Sequence, residues 1–296
     1  MLGRIRLIFA TDLGDPEGPV ALPDGTWLVV EGTAERGCVT QISADGRTKR
    51  VIKKTGLPNG LAVDRHGFIW VAESKEPSLI RLSMEGKSEV VATECDGEPF
   101  LFPNDLCFGP GGALYLTDSG MTAAEFCPGN KIRPDYMSLT YRGRVYRVDT
   151  ATGTVTLLDD GIRFTNGIAF GPDLRLYVNE TITGNIYRYA NENGVVSGPR
   201  SLFGNVIRAD APPGFKGPDG MAFSIDGRLY VAVFGQHDLI VLGHNGEFVE
   251  RIETAGKLPT NVAFALPGNH RIAVTEYEHG QLEMYDVPTD GLPLWS

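Results

Sequence analysis

The chain has 296 residues, with 27 Lys+Arg against 37 Asp+Glu, so its formal net charge is −10. That acidity, with no basic stripe, argues against nucleic acid as a partner and against docking on anionic membranes. A hydrophobic content of 42% is ample for a packed core, and no apolar run approaches the ~18 residues of a spanning helix.

In chain order, Arg4-Ile5-Arg6-Leu7-Ile8-Phe9 reads as a first strand. The N-terminus has no long apolar leader segment, which predicts a cytoplasmic protein. From there a pattern recurs. Pro16-Glu17-Gly18-Pro19-Val20 runs to the turn residue Gly25 and then to Trp27-Leu28-Val29. Pro58-Asn59-Gly60-Leu61-Ala62-Val63 runs to Gly67 and Phe68-Ile69-Trp70-Val71. Pro103-Asn104-Asp105-Leu106-Cys107-Phe108 reaches Gly112, then Ala113-Leu114-Tyr115-Leu116. Thr165-Asn166-Gly167-Ile168-Ala169-Phe170 reaches Leu174, where glycine is missing, then Leu176-Tyr177-Val178. Pro218-Asp219-Gly220-Met221-Ala222-Phe223 reaches Gly227 and Leu229-Tyr230-Val231, and Pro259-Thr260-Asn261-Val262-Ala263-Phe264 reaches Gly268.

Anchored on Glu17, Asn59, Asn104, Asn166, Asp219 and Thr260, the spacings are 42, 45, 62, 53 and 41 residues. Four-stranded propeller blades repeat at about this period. Further strand pairs, such as Leu79–Leu82 with Glu89–Ala92 and Arg144–Val148 with Val155–Leu158, complete the units. The expectation is one all-β domain over 1–296, a six-bladed β-propeller. The sixth unit ends early, so the N-terminal strand is expected to supply its outer strand and close the ring.

Each anchor precedes the innermost strand of its unit, so the six should face one another at one end of a central channel. All six offer oxygen and none is a cation. Carboxylates and amides crowded on an axis repel unless a cation sits among them. Oxygen ligands suit a hard divalent ion, Ca²⁺ first, with Mg²⁺ or Mn²⁺ next. Asn and Asp also serve as turn residues, whereas Glu is a poor one.

Positions fourteen residues after each anchor, at the return to the same face, are Glu31, Glu73, Asp118, Glu180, Val233 and Val274. The acidic ones, Asp118 and Glu180 among them, line a pocket, orient the metal ligands from behind, or form a solvated rim. The 119–143 stretch is the longest loop on this face and a candidate lid, with 203–217 next. Phe100-Leu101-Phe102 adds an apolar wall, which makes Phe102 a candidate substrate contact alongside Asn59 and Asn104.

Glu17-Gly18-Pro19, Pro103-Asn104-Asp105, Asn166-Gly167-Ile168-Ala169-Phe170 and Pro218-Asp219-Gly220-Met221-Ala222 stand in an order that resembles the SMP-30/gluconolactonase/luciferin-regenerating-enzyme-like lactonases. The likeness spans essentially the whole chain. It implies a six-bladed propeller with one divalent metal in the channel, Zn²⁺ or Fe²⁺ being further possibilities, and hydrolysis of a small-molecule lactone or ester. By resemblance Glu17, Asn166 and Asp219 match the metal ligands, Asn104 matches an asparagine touching metal or substrate, and Asp219 also matches the proposed general base. Sugar-lactone members carry an arginine about two residues before the third-blade asparagine. Here that stretch is Phe100-Leu101-Phe102-Pro103, which favours a less polar lactone or ester.

Rival bases are a metal-bound hydroxide, Glu180, Asp118 or His237. Rival functions are a non-catalytic metal-stabilised propeller that binds a small ligand or a protein, ester or phosphotriester hydrolysis, and a strictosidine-synthase-like condensation without central metal. No GxSxG, Walker A or HExxH stretch supports other chemistries. Cys38, Cys95, Cys107 and Cys127 form no CxxC pair and are expected as thiols.

Overall fold

The computed structural model describes residues 6–192 and 194–295. Strand β1 spans Arg6–Ala10. Blade one follows, with β2 (Pro16–Ala21), β3 (Trp27–Glu31), β4 (Cys38–Ile42) and β5 (Lys49–Lys54). Blade two holds β6 (Pro58–Val63), β7 (Ile69–Glu73), β8 (Ser78–Leu82) and β9 (Ser88–Ala92). A short hairpin, β10 (Glu94–Cys95) with β11 (Glu98–Pro99), leads to blade three: β12 (Pro103–Phe108), β13 (Leu114–Asp118), β14 (Gly143–Val148) and β15 (Val155–Ile162). Blade four is β16 (Thr165–Phe170), β17 (Leu176–Glu180), β18 (Asn185–Glu192) and β19 (Val195–Asn205). Blade five is β20 (Gly217–Phe223), β21 (Leu229–Phe234), β22 (Asp238–Leu242) and β23 (Phe248–Glu253). Blade six is β24 (Pro259–Phe264), β25 (Arg271–Glu276), β26 (Gln281–Asp286) and, on its outer edge, β1.

This is the expected six-bladed propeller, and β1 pairs antiparallel with β26 as the closing strand. Arg4 and Ile5, part of the expected strand, lie outside the described residues. The first strand of each blade touches the first strand of the next, around to β24 against β2.

Burial explains the residue types. Blades stack face to face, so a strand near the axis has both faces covered. Second strands are therefore continuous apolar runs, such as Leu114-Tyr115-Leu116, while the fourth strand Lys49–Lys54 is largely exposed and charged. Six apolar clusters fill the six seams. Val30 meets Val71 across blades one and two, Trp70 meets Leu116, and Tyr115 meets Val178. Tyr177 meets Val231, Tyr230 meets Val274, and Val29 meets Met284 where the ring closes. Each cluster belongs to two blades, so no blade buries its faces alone.

The first hairpin of each blade turns on a left-handed residue. Gly25, Gly67, Gly112 and Gly227 have φ between 79° and 83°. In blade four Leu174 takes the same role with φ 61°, a conformation costly for a residue with a Cβ. Blade six departs from the expected register. Phe264 pairs with Ile272, whereas Phe223 pairs with Leu229, so the sixth turn is two residues longer. His270, with φ 48°, occupies the turn position expected at Gly268, and the strand end is Glu276, not Val274.

Hydroxyl groups tie one blade to the next just before the anchors. Ser74 Oγ donates to the Pro103 carbonyl at 2.7 Å, Ser119 Oγ to Thr165 at 2.9 Å, Thr181 Oγ1 to Pro218 at 2.8 Å, and Thr260 Oγ1 to Pro16 at 2.7 Å. Each contributes about 1 kcal/mol net and fixes the height of the residue that follows it.

Candidate active site in the central channel

Each anchor is at or near the second residue of its inner strand, beside a bulge in the pairing with the second strand. A bulge re-aims a side chain, and here Glu17, Asn166 and Asp219 come together, whereas the Thr260 hydroxyl donates to the Pro16 carbonyl in the seam. The next residue is glycine in four blades because neighbouring blades crowd it. A Cβ on Gly167 would lie 2.2 Å from the Asp219 carbonyl oxygen, and one on Gly220 would lie 1.9 Å from Asn261 Cγ.

Blades three and six break that glycine rule with Asp105 and Asn261, two residues the sequence reading did not single out. They stand on opposite sides of the ring and meet across the channel. Asp105 hydrogen-bonds Asn261, and its Oδ1 accepts from the Leu106 amide at 2.8 Å. Asn261 Nδ2 donates to Glu17 Oε2 at 3.1 Å, and its Oδ1 accepts from Val262 N at 2.8 Å. The broken glycine pattern was the signal that could have found them.

Three carboxylates thus share the channel. Burial, then the Asp105 charge, pushes Glu17 up to about 8. Burial pushes Asp105 up to about 7. Burial, then Glu17, holds Asp219 well above the usual carboxylate range. The groups that oppose these shifts are neutral: Gly18, Asn261 and Thr260 at Glu17, Leu106, Ile168 and Asn261 at Asp105, and Asn166 at Asp219. Asn104 Nδ2 donates to Ser119 Oγ at 3.0 Å, which leaves its carbonyl oxygen for another partner. This oxygen-rich, negatively charged and under-neutralised set fits a hard divalent cation. Of the other predicted residues, Asn59 is partly exposed in blade two, and Phe102 is partly exposed at the mouth.

Asp118 and Glu180 are placed differently from a pocket lining. Asp118 is fully buried and accepts from the backbone N–H of Leu101 (2.7 Å), Phe102 (3.2 Å) and Gly120 (2.8 Å). Burial still raises its pKa against those donors. Glu180 accepts from Arg163 N at 2.8 Å and from the Thr183 hydroxyl. The same arrangement recurs. Glu31 takes Gly14 N at 2.7 Å, Glu73 takes Leu57 N at 2.6 Å, and Glu276 takes Leu258 N at 3.2 Å. In five blades a strand-end carboxylate therefore holds the chain just before an anchor. Blade five has Val233 there and holds Arg208 N with Gln236 Oε1 at 2.9 Å instead. Glu276, Glu278 and His279 bring possible ligand atoms within 4.8 Å of one another. Both Glu276 oxygens, however, accept from backbone amides of this blade. His237 sits in a turn with φ 71° and its Nε2 3.4 Å from the Ala255 carbonyl.

Two residues before each anchor lies an outer collar: Asp15, Leu57, Phe102, Phe164, Gly217 and Leu258. The 119–142 segment folds over it, with helix α1 at Ala123–Phe126. Phe126 of the lid packs on Phe164 at 4.6 Å and on Phe215 at 5.5 Å between ring centroids. Arg163 pins the lid from below, its guanidinium 6.0 Å from the Tyr141 ring centre and bonded to the Met137 carbonyl.

Residues 16–278 match the SMP-30/Gluconolactonase/LRE-like region family, and the chain belongs to that family. It is 27% identical over 282 residues to a gluconolactonase of Zymomonas mobilis, covering 88% of this chain and 76% of that one. It is 26% identical over 299 residues to the diisopropyl-fluorophosphatase of Loligo vulgaris, covering 95% and 91%. Among solved structures, a calcium-binding regucalcin of Agrobacterium tumefaciens superposes with a TM-score of 0.77 at 21% identity, covering 99% and 96%.

Proposed function

We propose that this member of the SMP-30/gluconolactonase/LRE-like family is a divalent-metal-dependent hydrolase that opens a lactone ring. The observation that carries the reading is the meeting of Glu17, Asp105 and Asp219 in one channel with only neutral groups to offset them. The gluconolactonase likeness supports the reaction class, and the calcium-binding fold relative agrees with Ca²⁺ as first choice of metal. Glu17, Asn104, Asn166 and Asp219 would hold the ion. Such an ion supplies Lewis-acid polarisation of the ester carbonyl and stabilisation of the oxyanion that develops there.

The chain's own residues do the rest. Asn166 hydrogen-bonds the Asp219 carboxylate and fixes its direction. Asp219 takes the proton of the attacking water as its oxygen bonds to the carbonyl carbon. The ring C–O bond then breaks, and Asp219 returns that proton to the leaving alkoxide oxygen. Asn261, anchored on Asp105, holds Glu17. The lid and collar limit water at the mouth. Asn59, Phe102 and Asn104 are assigned to the substrate side.

A second reading, phosphotriester hydrolysis, draws on the Loligo relative, which covers 95% of this chain. A cation held by the same oxygen ring would polarise a phosphoryl oxygen as it would an ester carbonyl. The four described cysteines are free thiols, in keeping with the cytoplasm, and no helix among the described residues is long and apolar enough to cross a membrane.

The test is acid release in a pH-stat from a panel of lactones and one phosphotriester, with Ca²⁺-loaded and chelated protein. Chelator-sensitive lactone opening is expected. Release from the phosphotriester alone would favour the second reading. Ion binding without turnover of any compound would sink both.

A further inference from the structure

We infer that the substrate of this chain carries an apolar group, alkyl or aryl, which the collar and lid receive while its ester faces the carboxylate ring. The inference rests on the hydrolase reading above and names its substrate class.

The geometry is a run of rings across the mouth. Phe102 of blade three meets Phe164 of blade four at 5.9 Å, and Phe164 meets Phe126 of the lid. Phe126 meets Phe215, Phe215 meets Phe234 of blade five at 5.9 Å, and Phe234 meets Tyr277 of blade six at 6.1 Å. The Tyr277 hydroxyl hydrogen-bonds Asp15 of blade one. Five edge-to-face or tilted contacts thus bridge four blades and the lid. Phe164 and Phe126 are buried, whereas Phe102, Phe215, Phe234 and Tyr277 keep part of their surface exposed.

Phe164 adds a second observation. Its φ is 66°, a backbone conformation that bulky residues rarely adopt. Such outliers persist where the surroundings over-determine them. Here the ring is held among Phe102, Phe126 and Tyr141.

Polarity decides the class. A polyhydroxylated lactone needs a hydrogen-bond partner for each hydroxyl that leaves water, and an unmade bond costs more than an apolar contact returns. The collar offers one polar side chain, Asp15, already bonded to Tyr277. An alkyl or aryl group loses nothing there, and burying one the size of a leucine side chain is worth about 10-fold or more in affinity.

The experiment compares kcat/KM of the Ca²⁺-loaded native protein for γ-butyrolactone, its γ-octyl derivative and an aldono-1,4-lactone. The octyl compound should exceed the parent lactone at least about 10-fold and the aldonolactone by more. Phe102→Ala and, on the opposite side of the collar, Leu258→Ala should each cut the octyl-to-parent ratio at least about threefold. An aldonolactone turned over as well as the octyl compound overturns the inference and leaves the hydrolase reading intact. If no lactone is opened, calorimetric titration separates the two ideas. Octyl-lactone binding at least about 10-fold tighter than the parent keeps the apolar site and discards the reaction, while equal binding discards the inference.

Discussion

Two sets of carboxylates occupy the same end of this molecule, and they differ in how their charges are arranged. The strand-end set, Glu31, Glu73, Asp118, Glu180 and Glu276, stands one to a blade, and each member accepts from a backbone N–H group of the chain entering its own blade. The channel set, Glu17, Asp105 and Asp219, converges on one axis, where burial, and for Glu17 and Asp219 a neighbouring carboxylate as well, raises all three pKa values against neutral donors only. Burial alone therefore does not mark a reactive site. Several carboxylates converging with only neutral groups to oppose them are the better mark.

The contrast breaks most visibly in activity. Asp219→Asn keeps the shape of the channel and removes a charge. Turnover of the best lactone should fall by roughly 1,000-fold or more, and chelation should no longer lower the melting temperature of this variant. Near-native turnover with bound metal would take the proton-accepting role away from Asp219.

The pH dependence of stability comes next. An unfolded carboxyl titrates near ~4, whereas Glu17 in the metal-free fold is pushed up to about 8 and Asp105 to about 7. Between those limits the folded protein keeps protons that the unfolded chain has lost. Raising the pH from 5 to 8 must therefore destabilise the chelated protein. A bound cation takes the place of those protons, so the loaded protein should lose roughly 5 °C less over the same range. Parallel melting curves for the two forms would falsify the account of the channel charges.

The strand-end set should behave in the opposite way. Asp118→Ala leaves one buried and two part-buried N–H groups without an acceptor, a loss of about 2–4 kcal/mol of stability. The increase in melting temperature on adding Ca²⁺ should survive, because no channel charge has changed. Its disappearance would put Asp118 back among the site residues. The smallest effect is expected far from either set. Leu174 is 44% exposed and left-handed, so Leu174→Gly should stabilise the protein by about 1 kcal/mol in denaturant titration.

These differences also explain what could be read in advance. The blades were legible because each inner strand begins with the same short motif and each second strand is an unbroken apolar run. The anchors were legible because a fixed offset from the turn puts them at one end of the channel. That offset fails in blade six, where two extra turn residues move the strand end from Val274 to Glu276. Spacing placed Asp118 and Glu180 on the correct face. It carried no information on which N–H groups the preceding loops would bring to them, 16 or 17 residues away. Asp105 and Asn261 were hidden for a different reason: each stands next to an anchor, and only the glycines of the other four blades show that the position is special.

The seam between blades six and one has a consequence for how the protein is made. Asn261 and Thr260 bond to Glu17 and Pro16 across 244 residues of sequence. On a growing chain Glu17 emerges long before these partners. Loops of that length close slowly and late in folding. The oxygen ring is therefore complete only when the circle is, and a cation that prefers the full ring reports on closure of the whole chain. Ion uptake during refolding should then follow the joining of β1 to β26, so that one event serves both as the last step of folding and as the start of competence.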